Sequence, residues 1–206
     1  MAALTTAEAR TEAESGLATR ILRAIFENLN GLSGGNAGSG LSVTPGIAGY
    51  TARASGNFTR PADTTAYASG DLVANSTTAA SVAPITITAA RSTGLGGMVR
   101  RVSLLKSTTS TTNASFRVHF YSATPGTPNA GDNGAWLTPD KDIYLGSCDV
   151  TMDKAFSDGA CGVGAPGAGS EINFTSDNLY CLIEARAAYT PGNAEVFTLV
   201  CELLQN

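Results

Sequence analysis

From about residue 50 onward the chain alternates. In "ASFRVHFYSA", residues 114–123, Phe116, Val118 and Phe120 take one parity and Arg117, His119 and Tyr121 the other. A period of two puts successive side chains on opposite faces of an extended backbone, so such a segment is a half-buried strand. "SVAPITITAAR", "MVRRVSLLKS", "DIYLGSCDV", "EINFTS", "LYCLIEARAAY" and "EVFTLVCELL" are likewise short and rich in β-branched or aromatic residues. Gly, Pro, Asn and Asp clusters such as "TPGTPNAGDNG" and "DGACGVGAPGAGS" punctuate them. Roughly eight or nine strands with no helical stretch between them point to two sheets packed face to face. The expected fold class is all-β, a jelly-roll or other Greek-key β-sandwich over residues 50–206. "YTPGN" (189–193) is expected to turn a hairpin that makes the Cys181 and Cys201 strands neighbours at the core.

The stretch "ASGNFTRPADTTAYASGDLVANS", residues 54–76, is almost without chemistry. Pro61 fixes its own backbone and pushes Arg60 into an extended shape, so "NFTR" ends a strand and "PADTT" turns. Gly70-Asp71 is a turn or bulge ahead of Leu72 and Val73, which enter the core. Asp63 and Thr64 are suited to bonding nearby backbone groups.

Residues 1–30 follow a different rhythm. Thr5 and Glu8 have the spacing of a capping box, and Gly31 is placed to stop a helix. Leu17, Ile21, Ile25 and Leu29 recur every four residues, with Leu22 and Phe26 widening the stripe into an amphipathic arm. Gly16 weakens its first half. A Gly/Ser-rich linker, residues 31–49, follows. An arm on such a tether buries its apolar stripe by docking on its own domain or on another molecule.

Charged residues make up 15% of the chain, below the usual quarter, and Ala, Gly, Ser and Thr fill the place. That composition suits a surface partly covered by neighbouring subunits. The net charge is −4, and the scattered cations gather only at Arg100, Arg101 and Lys106. A nucleic-acid partner draws on clustered positive charge, so none is expected. No apolar run reaches the roughly 18 residues of a membrane span, and "MAALTTAEARTEAES" lacks the pattern of a secretory signal. Cys148, Cys161, Cys181 and Cys201 include no CxxC spacing and are expected to be free thiols, with Cys161, in a glycine-rich loop, the most exposed.

Catalytic templates fare poorly. The single His119 sits mid-strand on the face opposite the apolar residues, as an outward-facing or subunit-contact side chain. One histidine leaves no common catalytic zinc set, and no cofactor or small-molecule substrate is expected. Glu171, Glu184, Glu195, Glu202, Asp140 and Asp142 are the carboxylates available for acid–base work. Glu184 and Arg186, two apart on one strand, have the spacing of a surface ion pair. "DNGAWLTPDKD" is only loosely a calcium loop. Trp136 within it is a candidate surface contact, as is Arg60.

"FTRPADTTAYASGDLVANS", an apolar strand, and "RSTGLGGMVRRVSLLKSTTSTTNASFRVHFYSATP" together resemble a group of small structural proteins of tailed-bacteriophage virions, over about residues 50–125. The matching string runs from Phe58 to Tyr67, with Gly70-Asp71 after it. The resemblance implies a non-enzymatic virion protein without catalytic residues, in keeping with a head decoration or cement protein. The partners expected are the major capsid protein and copies of itself as a homotrimer. Its place would be the virion head surface, after assembly in the host cytoplasm. The arm residues Leu17, Ile21, Leu22, Ile25, Phe26 and Leu29 would hold the partner. The alternatives are a head–tail connector or tail component, and a glycan- or receptor-binding fibre module.

Overall fold

The computed structural model describes residues 49–126, 130–135 and 140–206. The expected arm, nearly all of the linker, and Trp136 lie outside the described residues. Ten strands follow one another: β1 Tyr50–Thr59, β2 Leu72–Val73, β3 Ile85–Thr88, β4 Gly97–Lys106, β5 Ser115–Tyr121, β6 Tyr144–Ala155, β7 Ala160–Gly164, β8 Ile172–Phe174, β9 Asn178–Ala185 and β10 Val196–Gln205. Only two short 3₁₀ turns, Ala79–Ser81 and Lys141–Ile143, interrupt them among the described residues. Among the described residues every strand pairing is antiparallel.

The strands form one curled sheet in the order β1-β10-β4-β7-β6-β5-β9-β2, with β8 also on β4 and β3 also on β9. Strand β6 makes the bend. Its first part pairs with β5 as far as Thr151, its last part pairs with β7 from Met152, and the register shifts between Met152 and Lys154. A bulge of this kind sharpens local twist, which lets one strand serve two halves of a sheet. The first half is β1, β10, β4, β7 and β8; the second is β5, β9, β3 and β2.

The main core lies between the halves. Phe116, Val118 and Phe120 of β5 meet Phe197, Leu199, Cys201 and Leu203 of β10 there, all essentially inaccessible. The alternation in the sequence is thus the alternation of burial: β10 runs half-buried, buried, half-buried along its whole length. Phe116 packs edge-on against Phe197 with centroids 5.3 Å apart, a favourable aromatic arrangement. On the open side of the curl, β1 comes down onto β3 at Gly56. A Cβ there would sit 2.6 Å from Ile85 Cγ2 and 3.0 Å from the Thr86 carbonyl, so this approach requires glycine.

Three expectations are corrected. Strands β9 and β10 are not a hairpin: β9 pairs with β5, β3 and β2, and β10 with β1 and β4. The link between them carries Tyr189 and Glu195, both fully buried, so it crosses from one half to the other. Cys181 and Cys201 are still neighbours, across the core instead of along a ladder. The glycine-rich "ACGVG" is strand β7, with Cys161 half-buried in it. Glycine is required there by packing, since a Cβ on Gly162 would lie 2.1 Å from the Thr151 carbonyl. His119 does lie on the face opposite the core, but it is only 7% exposed. A second apolar cluster of Leu72, Ala74, Tyr121 and Leu182, with Val82, Ile143, Tyr144 and Tyr180 packed on it, accompanies that face of the second half.

Candidate interaction surface

Three arrangements of polar and exposed side chains differ in what they can do. The first is a buried ionic system at one end of the curl. Arg60, the last residue before the Pro61 turn, is 2% exposed and not a surface contact, which corrects the expectation. Its Nη2 donates to Asp132 Oδ2 at 2.7 Å, and its Nε donates to the Tyr67 hydroxyl. Tyr67 donates to Asp132 Oδ1 at 2.7 Å, and the Ala74 amide donates to the same oxygen at 2.8 Å. Burial opposes the Arg60 charge, but Asp132 and Tyr67 outweigh it and hold the guanidinium above its ordinary pKa. Burial, then the Asp132 charge, push the Tyr67 hydroxyl upward. Its ring stacks on Tyr189, whose hydroxyl donates to Glu195, and Lys106 Nζ reaches Glu195 Oε1 at 3.3 Å. Burial lowers the Lys106 pKa while Glu195 opposes the shift. Each charge has its counter-charge, so the system ties the segments around residues 60, 132 and 195 together without an open face for a ligand.

The second arrangement surrounds His119. Its Nε2 lies 3.0 Å from Glu184 Oε2 and its Nδ1 lies 3.2 Å from the Tyr144 hydroxyl. Arg186 Nη1 donates to the other Glu184 oxygen at 2.9 Å, the pairing expected from their spacing. Alongside, Arg117 grips Asp149 through two bonds of 2.6 and 2.9 Å. Burial holds the imidazole below its usual pKa, with Glu184 pulling the other way. A histidine between a carboxylate and a phenol is an oriented imidazole, positioned through both ring nitrogens. The remaining carboxylates are dispersed. Glu202 pairs with Arg101 at 2.8 Å, Glu171 accepts from the Gly169 amide, and Asp140 accepts from the Gly126 amide. Asp142 lies in the first turn of the short Lys141–Ile143 helix. Among the described residues, no group of three or more His, Cys, Asp or Glu side chains is placed to hold a metal ion.

The third arrangement is the outer face of the first half. The registers place Ser55, Val200, Ser103 and Val163 in one cross-strand row and Asn57, Thr198, Leu105 and Cys161 in the next. Leu105 is 40% exposed and Val163 46%, and Val196, Val200 and Leu204 are half-buried. Charge sits at two places on the face: the exposed Lys154 of β6, paired with Asp153, lies next to Cys161, and Arg53, Glu202 and Arg101 align at one end. There a bulge in the β4–β10 ladder sets Glu202 opposite Arg101 and Leu203 opposite Val99, so Arg100 is the extra residue. Arg100 and Arg101 are both exposed beside a cleft of about 370 Å³, whose lining also includes Val163, Gly164, Ala165 and Glu202. Lys106, the third cation of the sequence cluster, is instead buried with Glu195. Sequence reading by itself did not single out this face; the clue was the doubled "RR" inside the otherwise alternating "MVRRVSLLKS".

The described residues therefore define an all-β protein with a curled antiparallel sheet, one enclosed ionic system and one broad, weakly charged face. No protein-family model matches the chain, and no curated protein matches it either. Among the described residues no helix is long and apolar enough to cross a membrane.

Proposed function

We propose that this chain is a non-enzymatic structural protein of a tailed-phage virion, a decoration or cement protein that bridges neighbouring capsid subunits on the head. The observation that carries the reading is the outer face of the first half. A sheet face with Val163, Leu105 and Val200 in reach of solvent, and with its charges at the margins largely paired, is the composition of a contact surface. The resemblance of residues 50–125 to small virion proteins supports the same assignment. In this reading the fold is a variant of the jelly-roll or Greek-key sandwich, since β10 lies between β1 and β4 and the β9–β10 link crosses the core. The major capsid protein and further copies of the chain are its partners, and its work is mechanical.

The amphipathic arm supplies the grip. Burying Leu17, Ile21, Leu22, Ile25, Phe26 and Leu29 on a neighbour contributes on the order of 10 kcal/mol gross, at ~1.5–3 kcal/mol per side chain. Ordering the arm and linker offsets much of that, and repetition around an oligomer restores it by multivalency. The test is the full chain carrying Ile21→Asp and Ile25→Asp, alongside a deletion of residues 1–40. Both are expected to keep the strand-rich circular dichroism spectrum and to lose attachment to capsid shells. Full occupancy of shells by either variant contradicts the assignment of the grip to the arm.

A further inference from the structure

We infer that copies of this chain associate head to tail, the β6–β7 turn of one copy seating in the Arg100 cleft of the next. This deepens the self-association in the reading above and depends on that part of it alone, not on location in a virion.

The knob is built by a tight turn. Strands β6 and β7 end at Ala155 and begin at Ala160, and the Phe156 amide donates to the Gly159 carbonyl at 2.7 Å. That bond closes the turn around Ser157 and Asp158 at its tip, with Asp158 exposed and Phe156, beside the tip, 56% exposed. A large aromatic side chain exposed on a backbone held by a short turn orders little main chain when it binds, as suits an interface anchor.

The hole has the matching chemistry. Val163, Gly164 and Ala165 give it an apolar side. Its volume of about 370 Å³ exceeds the roughly 150 Å³ that accommodates benzene in a protein cavity. The bulge turns both arginines outward, yet only Arg101 has a carboxylate partner, Glu202. Arg100 forms no ion pair among the described residues, and neither does Asp158. One copy thus offers an aromatic ring and an unpaired acid, and the cleft offers an apolar wall and an unpaired base.

The knob cannot fill its own hole. Strand β7 lies between them, its two ends about 13 Å apart at ~3.3 Å per residue. Because knob and hole are different surfaces, the contact is heterologous, and it closes into a ring when the rotation between copies permits.

Sedimentation velocity of the full chain tests the inference. The wild-type chain is expected to sediment as an oligomer. Phe156→Asp is expected to raise the concentration for half-assembly about thirtyfold or more, the loss typical of an interface anchor. Arg100→Asp and Asp158→Arg are each expected to weaken assembly several-fold, and the chain carrying both is expected to regain it, because the charges then meet in reverse. The exposed positions of all three residues keep the fold intact, which circular dichroism checks. A wild-type chain that stays monomeric overturns the inference. So does an oligomer indifferent to Phe156→Asp, and in that case capsid binding by the same variant shows whether the virion reading survives.

Discussion

Arg60 and Asp132, separated by 72 positions in the chain, are joined by a 2.7 Å bond with both side chains fully buried. The contact pins the segment after β1 to the segment that precedes β6, with Tyr67 sharing both partners. Removing one member strands the other charge in the interior. Arg60→Met or Asp132→Asn is therefore expected to lower unfolding stability by about 3–5 kcal/mol in urea titrations. Arg60→Met combined with Asp132→Leu is expected to recover most of that loss. Equal losses in the single and double variants contradict this account of the pair.

Stability should fall on mild acidification. His119 is held below its ordinary pKa of 6.5, mainly by burial. The folded state then binds a proton less readily than the unfolded chain, so the contribution is present above pH 6.5 and is lost as the pH drops towards the lowered folded value. Glu184 and Asp149 pull the value upward and Arg117 adds to the lowering, while the Tyr144 hydroxyl lies 3.2 Å from the other ring nitrogen. In thermal melts from pH 7.5 downward, His119→Gln is expected to show a shallower loss than the wild type. The same slope in both proteins assigns the effect to other groups.

Thiol labelling should single out one cysteine. Burial pushes Cys148 up to about 11 and Cys201 up to about 12, and it raises Cys181 as well. Cys161 is half-buried on the outer face of β7. A thiolate-selective reagent at pH 8 is expected to modify Cys161 first, with the other three reacting only in denaturant. Mass spectrometry reads the order, and early labelling of Cys181 contradicts it.

Much of the strand content was legible because the core-facing set alternates strictly. In "ASFRVHFYSA" and "EVFTLVCELL" each apolar position of one parity is a core position. The Pro61 corner and the Gly70-Asp71 turn before Leu72 and Val73 were legible for the same local reasons, and Gly70 has a φ of 99°. Strand β7 was not, because Gly162 and Gly164 look like loop residues until the close approach of Thr151 and Asp149 is seen. Nor was the partner of β9. "YTPGN" has hairpin composition, and only the burial of Tyr189 and Glu195 turns the link across the core. Arg60 had the chemistry of a surface contact, and its burial follows from a partner too distant in sequence for local patterns to register.

As a decoration protein, the role we propose, this chain would cover and clamp its neighbours on a capsid. The most direct measurement is an image reconstruction of the assembled particle whose genome encodes it. The account predicts density for residues 49–206 on the outer shell, repeated over the junctions between capsid subunits, with the arm reaching an adjoining subunit. Density confined to the tail, or purified particles that lack the chain altogether, contradicts it.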